Sequence, residues 1–393
     1  MTDQAKKRVA ILGSTGSIGL NALDVASSMA GLIDVVGLTA NRNIEALASQ
    51  IEKFEPRMVA VGDEKAAREI AGQAESHGTE VFWGEDGLVR AARLEDADLI
   101  LNAVVGGVGI APTLAAVRAG KNVAIANKEC LVAAGEIITR EAMKSGSRLI
   151  PVDSEHSAVY QCLKGEKPSS VSKIVLTASG GPLVDMSVEE IEQVRAAEAL
   201  RHPNWNMGRK VTIDSATLMN KGFEVIEAHW LFGVDADRIE VVVERKSLVH
   251  ALVEFVDGNV VALLSEPDMR LPIQYAMTYP DRMETRVKGL DLEAMGGISF
   301  EMPDYERFPC LRLAFEAIRS GGTVPAVLSA ADEVAVEAFL DGGIRFGEIF
   351  RILDEVVAGH ERQEADSLEA VMKADGWARR KASELAGGAS RRG

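Results

Sequence analysis

The chain has 393 residues, 47% of them hydrophobic, which is enough for roughly two to three domains, each with a full core. Its net charge of −16 and pI near 5.0 exclude the summed positive potential that a nucleic-acid surface or a polybasic membrane patch requires. The three cysteines, Cys130, Cys162 and Cys310, are scattered and odd in number, without the spacing of a zinc site or a disulfide framework, so a reducing compartment is expected.

The first residues, "MTDQAKKRVAILG", pass straight into a strand with no apolar signal core or arginine-rich transit segment, and a cytoplasmic location is expected. From Lys7 to Asp153, the runs "RVAILG", "DVVGLT", "RMVAVG", "ADLILNAVV", "KNVAIAN" and "RLIPVD" alternate with helical segments. That rhythm predicts an α/β fold with a doubly wound parallel sheet covered on both faces. The uncharged run from Leu99 to Val117 approaches the ~20 residues of a membrane helix. Asn102, Gly106, Gly107, Gly109 and Pro112 break it into a strand, a glycine turn and a helix start.

The first strand ends in "GSTGSIG", with glycines at 13, 16 and 19. Such glycines let the backbone approach a pyrophosphate at a helix N-terminus, where free N–H groups and the helix dipole favour anions. The spacing is one residue off the common dinucleotide fingerprint, so a glycine turn that binds nothing remains the alternative. After the second strand, "ANRN" offers Arg42 between Asn41 and Asn43 and no acid. An acid there would bind ribose hydroxyls and an arginine a 2′-phosphate, so NADP(H) is expected over NAD(H); the bland reading is a solvated loop arginine.

In "IPVDSEHSAV" the polar run Asp153, Ser154, Glu155 and His156 follows a strand at its carboxyl end, where ligands bind in open α/β sheets. Carboxylates this close raise each other's pKa unless a cation sits among them. With no cysteine or His-x-x-x-His spacing nearby, the pair suits Mg²⁺ or Mn²⁺, although an acidic helix cap reads the same way.

Residues 171–265 predict a second, mixed sheet, with "VHALVEFV" and "NVVALLSE" forming a hairpin across Asp257 and Gly258. In "TASGGP", Ser179 precedes Gly180 and Gly181, a run that makes either a phosphate cradle or a plain turn. "RHPNWNMGRK" joins His202, Trp205, Met207 and Gly208 in a loop between helices, read as a lid or as an anchored tryptophan. One helix is expected over 214–232, capped by Asp214 and Ser215. Met219, Phe223, Ile226 and Trp230 form its apolar face, with Asn220, Lys221 and Glu224 opposite. Lysine before glutamate is the less favourable order, so a surface stripe explains that trio poorly; Glu224 is a third candidate metal ligand. Beyond 309 the pattern is helical. The expected division is a dinucleotide-binding domain over 1–150, an α+β catalytic domain over 151–290, a linker over 291–308 and a helical bundle over 309–393.

The motifs "GSTGSIG", "LTANRN", "ANKE", "VDSEHSA", "TASGGP", "HPNWNMG", "DSATLMNKGFEVIEA" and "SEPDMRLPI" stand in this order. On them the chain resembles the 1-deoxy-D-xylulose 5-phosphate reductoisomerase family. The resemblance implies an N-terminal Rossmann-type domain, a homodimer, and conversion of that sugar phosphate to 2-C-methyl-D-erythritol 4-phosphate in non-mevalonate isoprenoid biosynthesis. It implies NADPH bound by Thr15, Gly16, Ser17, Ile18, Asn41, Arg42, Asn43, Asn127, Glu129 and Gly208. A divalent metal falls to Asp153, Glu155 and Glu224, and catalytic roles to Lys128, Glu155, Glu224 and His202. Lys128 and Ser154 contact the hydroxyketone end of the substrate, beside the metal acids. Its phosphate goes to Ser179, Ser215, Asn220 and Lys221, with His202 nearby, Trp205 over the carbon chain, and Met269 toward the nicotinamide. The chain departs from the family pattern at Asn206, where serine is common, and at Asp332, where asparagine is common; both are expected to lie outside the chemistry. The rival readings are a plain NADP-dependent dehydrogenase, which leaves three acids unexplained, and a non-catalytic NADP(H)-binding sensor module.

Overall fold

The structure, a computed structural model, describes residues 6–202, 204–205 and 207–389. Asn206 lies outside the described residues. The chain forms two compact units: one gathers the residues up to Cys130, Ile138–Ser157 and Asp268–Lys288, and the other Leu131–Ile137, Ala158–Pro267 and the chain from Gly289 onward.

The first unit holds a sheet of seven parallel strands: β1 (Lys7–Leu12), β2 (Ile33–Thr39), β3 (Met58–Val61), β4 (Glu80–Trp83), β5 (Leu99–Asn102), β6 (Asn122–Ile125) and β7 (Leu149–Pro151). Their order is β4-β3-β2-β1-β5-β6-β7, with Val9 of β1 opposite Val35 on one side and Leu99 on the other. Helices cover both faces, so the central strands are buried along their length and read as near-continuous Val, Ile and Leu. Strand β4 was not among the six expected strands. It is an edge strand whose ends, Glu80 and Trp83, are exposed, and so it carries no buried run to read. Strand order reverses at β1, and the glycine loop that follows β1 therefore opens at the crevice where doubly wound sheets bind ligands.

The second unit contains a four-stranded mixed sheet, ordered β11-β10-β8-β9, of β8 (Val171–Ala178), β9 (Ile239–Val243), β10 (Val249–Phe255) and β11 (Val260–Leu264). Strands β8 and β9 run parallel, while β10 is antiparallel to both β8 and β11. The β10–β11 hairpin turns at Gly258, whose φ of +83° suits a residue without a Cβ. Helices Pro309–Ser320, Val324–Leu340, Phe346–Ala358 and Leu368–Ala389 follow, as the late apolar periodicity predicts.

These helices do not form a core of their own. Leu311, Val327, Leu328, Ile349 and Leu353 share one buried cluster with Ile174, Leu176, Ile213, Phe223 and Ala251. The expected boundaries at 150, 290 and 308 follow chain order, whereas the compact units are discontinuous: burial groups segments by the apolar faces they share. The single helix expected over 214–232 is two, Arg209–Ala216 and Met219–Phe232, separated at Leu218, which adopts a left-handed φ of 59°.

Candidate active site

In the first unit the loop after β1 is set by packing. Gly13 has a φ of +83°, and a Cβ on Gly19 would fall 2.3 Å from the Gly13 carbonyl oxygen and 2.5 Å from the Ser14 Cα. The Gly13 N–H donates to Thr39 Oγ1 at 2.9 Å and the Ser14 hydroxyl to Gln50 Oε1 at 2.6 Å, which anchor the loop from below. Thr15, Gly16, Ser17 and Ile18 are thereby presented at the start of helix Ser17–Ser28, with Gly16 and Ser17 exposed. Asn41 and Arg42 are exposed beyond β2, whereas Asn43 caps helix Ile44–Phe54 by accepting the Ala46 N–H at 3.2 Å. Asn127 is buried and committed: its amide donates to the Gly106 carbonyl at 2.9 Å and its Oδ1 accepts the Cys130 N–H at 3.2 Å.

Asp153 precedes helix Ser154–Cys162 and caps it, accepting the Glu155 N–H on Oδ1 at 3.3 Å and the Ser157 N–H on its carbonyl at 2.8 Å. The cap and the charged site thus coexist on one residue. Lys128 Nζ lies 2.7 Å from Asp153 Oδ2, and Nδ1 of the fully buried His156 is 3.3 Å from Oδ1. Burial alone would push the Asp153 carboxyl up, but the Lys128 ammonium and His156 hold it well below the usual carboxylate range. One cation beside the acids is therefore Lys128 itself. The Ser154 hydroxyl donates to Glu155 Oε2 at 2.5 Å.

The second unit places Glu224 on helix Met219–Phe232 at 1% exposure. Asn220 Nδ2 donates to its Oε1 at 2.6 Å and Lys221 forms an ion pair with its Oε2. Lys221 is itself only 3% exposed, which rules out a solvated stripe. Asp214 and Ser215 are not the caps of this helix. They occupy the last turn of the preceding one, Leu218 stands at the cap position without a side-chain bond, and Asp214 Oδ2 is taken by Lys210 at 2.6 Å.

Ser179, at the end of β8, accepts the Gly181 N–H on its hydroxyl at 3.1 Å, and that hydroxyl is 3.0 Å from His202 Nε2. Gly181 has a φ of +73°, and a Cβ there would sit 2.4 Å from the Ser215 carbonyl oxygen, so this loop lies directly on the Ser215 turn. His202 Nδ1 accepts the Asn204 and Trp205 N–H groups at 3.2 and 3.0 Å. Its proton must then be on Nε2, facing Ser179. Burial pushes His202 down to about 4, which makes it a neutral hydrogen-bond donor near pH 7 rather than a cation. The Trp205 ring meets His250 edge-on, with centroids 6.4 Å apart. Gly208 caps helix Arg209–Ala216. Met269 stands at the start of helix Arg270–Thr278 in the first unit.

Two features escaped the sequence reading. The Lys210, Asp214 and Asp332 cluster had a local signal only in its i, i+4 half, and the cap duty of Asn127 looked like any asparagine before a helix. The cysteines stay outside the chemistry: Cys130 and Cys310 are buried, and burial pushes Cys162 up to about 11 and raises Cys310 as well. Among the described residues no helix is long and apolar enough to cross a membrane.

Three family models match: 1-deoxy-D-xylulose 5-phosphate reductoisomerase over residues 9–135, its C-terminal domain over 149–232, and the DXP reductoisomerase C-terminal domain over 264–381. The reductoisomerase of Symbiobacterium thermophilum is 52% identical over 96% of this chain and 98% of its own. Reductoisomerase 1 of Bacillus thuringiensis is 49% identical over 96% and 98%. The Zymomonas mobilis enzyme in complex with NADPH superposes with a TM-score of 0.91 at 40% identity, covering 97% of this chain and 99% of that one. A reductoisomerase in complex with NADPH, fosmidomycin and magnesium superposes with a TM-score of 0.93 at 36% identity, over 97% and 98%. With identity of this order along almost its whole length, the chain belongs to the 1-deoxy-D-xylulose 5-phosphate reductoisomerase family.

Proposed function

We propose that this chain carries out the NADPH- and divalent-metal-dependent rearrangement and reduction of 1-deoxy-D-xylulose 5-phosphate to 2-C-methyl-D-erythritol 4-phosphate. The observation that carries the metal-dependent reading is a pair of oriented, shielded carboxylates. Asp153 is held ionised against Lys128, and Glu224 is clamped by Asn220 and Lys221. A plain dehydrogenase or a binding-only sensor has no use for either. Asp153, Glu155 and Glu224 are the ligand set, an all-oxygen donor set that fits Mg²⁺ or Mn²⁺. Once bound, the metal supplies Lewis-acid polarisation of the substrate oxygens and NADPH supplies hydride.

The chain's own residues do the positioning. Thr15, Gly16, Ser17 and Ile18 receive the pyrophosphate through backbone N–H groups other than that of Gly16, which donates to the Gly13 carbonyl at 3.2 Å, with Asn41, Asn43, Asn127, Glu129 and Gly208 completing the NADPH site. Lys128 and Ser154 face the hydroxyketone end of the substrate. Ser179, Ser215, Asn220 and Lys221 hold the phosphate, and His202 adds an N–H from Nε2 without adding charge. Trp205 covers the carbon chain and keeps water out. Phosphate binding remote from the reacting carbons contributes the energy for that closure.

The direct test is NADPH oxidation by the purified protein with 1-deoxy-D-xylulose 5-phosphate, with Mg²⁺ present or chelated. Oxidation that vanishes on chelation is expected. Oxidation indifferent to metal would move the assignment to a plain dehydrogenase, and tight NADPH binding without turnover would favour the sensor.

Arg42 is assigned to the 2′-phosphate of NADPH. Arg42→Glu removes a charge-assisted contact worth about 1.5–3 kcal/mol, so the NADPH-to-NADH ratio of kcat/KM should fall by roughly tenfold or more. An unchanged ratio refutes the assignment.

The reading includes a cytoplasmic homodimer. Strand β11 is a free edge of its sheet, with Val260 and Val261 exposed along it, a surface that soluble chains usually cover. Light scattering should give twice the 42.1 kDa chain mass; a monomer at micromolar concentration would refute it.

A further inference from the structure

Helix Arg209–Ala216 carries Ser215, yet has little to hold it by itself. It is eight residues long, its cap Gly208 makes no side-chain bond, and the chain leaves it through the left-handed Leu218. A helix this short is not stable on local terms. Its rotation about its own axis must be set by tertiary contacts, and a few degrees of rotation re-aim the Ser215 hydroxyl.

The contact is specific. Lys210 Nζ donates to Asp214 Oδ2 at 2.6 Å, one turn along the same helix, and to Asp332 Oδ2 at 2.8 Å on helix Val324–Leu340. Asp332 is fully buried and Asp214 is 2% exposed. The same ammonium lies over the Phe223 ring, 5.2 Å from its centroid, on the helix that carries Asn220, Lys221 and Glu224. Cys310, on helix Pro309–Ser320, faces this cluster, its thiol raised by burial and by the Asp332 and Asp214 charges. Three helices are therefore joined at one nitrogen. Ser215 follows Asp214 directly, about 100° further round the helix, and its carbonyl is where Gly181 packs.

Burying two carboxylates on one ammonium is a poor way to gain stability, because apolar replacements of similar volume do as well or better. The arrangement instead specifies one orientation. We infer that Asp332, acting through Lys210, is a positioning residue for phosphate binding: it sets the rotation of the Ser215 helix against the Ser179–Gly181 loop. Its departure from the family pattern thus falls next to the substrate site, not outside it. The inference rests on the phosphate role proposed for Ser215.

The experiment uses the full chain with inorganic phosphate as a competitive inhibitor, read beside the KM for the sugar phosphate and the KM for NADPH. Asp332→Ala should raise both the phosphate Ki and the sugar-phosphate KM tenfold or more, leaving the NADPH KM within twofold. Asp332→Asn keeps an acceptor for Lys210 and should restore both to within threefold. The charge-free triple variant Lys210→Met, Asp214→Asn, Asp332→Leu should melt within a few degrees of the parent and still show the tenfold losses, a result that a purely structural role does not produce. Folded Asp332→Ala or triple variant with phosphate Ki and sugar-phosphate KM within twofold of the parent overturns the inference. So does failure of both to fold, which would make the cluster a requirement of the fold. Ser215→Ala is the control: if it leaves the phosphate Ki unchanged, the phosphate role itself fails; if it raises the Ki while Asp332→Ala does not, only the positioning role does.

Discussion

Glu224→Gln is expected to lower kcat by roughly a thousandfold, about 4 kcal/mol of lost transition-state stabilisation, while the protein still folds. The side chain is 1% exposed and both its oxygens are bonded, Oε1 to Asn220 and Oε2 to Lys221. Glutamine has the same shape and still offers an oxygen to Lys221. Its amide group can donate to the Asn220 carbonyl oxygen once that side chain turns over. The fold keeps its hydrogen bonds but leaves the buried Lys221 ammonium without its carboxylate, a cost of up to about 3–5 kcal/mol and roughly ten degrees or less in Tm. On the proposed ligand set a bound metal would lose an anionic ligand, which no neutral amide replaces. Steady-state kinetics across a Mg²⁺ titration, with a thermal melt beside it, separates the two effects. A variant with near-normal kcat would take Glu224 out of the metal site.

The second large effect is expected from the smallest substitution. Gly19→Ala adds one methyl group, and its Cβ would stand 2.3 Å from the Gly13 carbonyl oxygen and 2.5 Å from the Ser14 Cα. Both neighbours are backbone, so no side chain can swing away, and the loop must move off the helix. The fold cost is about 1–3 kcal/mol, as for overpacking elsewhere. The functional cost is larger, because the displaced residues, Thr15 to Ile18, are those assigned to the pyrophosphate. NADPH affinity measured by fluorescence or calorimetry should weaken by roughly a hundredfold, the loss of about two charge-assisted hydrogen bonds. Gly16→Ala is the comparison, since a Cβ there meets only the Gly13 oxygen at an ordinary 3.5 Å. Equal affinity in the Gly19→Ala variant and the parent would mean that the loop does not bind the nucleotide.

Fold class, the glycine loop and the polar runs were legible in the sequence because each is written in local chemistry. A doubly wound sheet needs strands apolar on both faces, and β1, β2 and β5 show this as runs of Val, Ile and Leu; β4, at the edge, does not. The hairpin at Asp257 and Gly258 was legible for the same reason: a turn residue at φ +83° leaves a trace in the sequence. The helix over 214–232 was misjudged because its periodicity runs on through Leu218. A left-handed leucine has no sequence signature, and only packing around it holds it there.

By itself the sequence determined the fold class, most of the buried strands, where the polar runs lie, and to which family the chain belongs. The tertiary structure alone decided how those charges are used. Asp153 is both a helix cap and the partner of Lys128, Glu224 is buried between Asn220 and Lys221, and His202 is neutral because it is buried and donates from Nε2 because two backbone N–H groups occupy its other nitrogen. Asp332, 122 residues from Lys210 in the chain, stands 2.8 Å from it in space. The physical reason is that secondary structure follows from contacts a few residues apart. The ionisation and orientation of a buried polar group depend on whatever long-range neighbours replace the water it has lost.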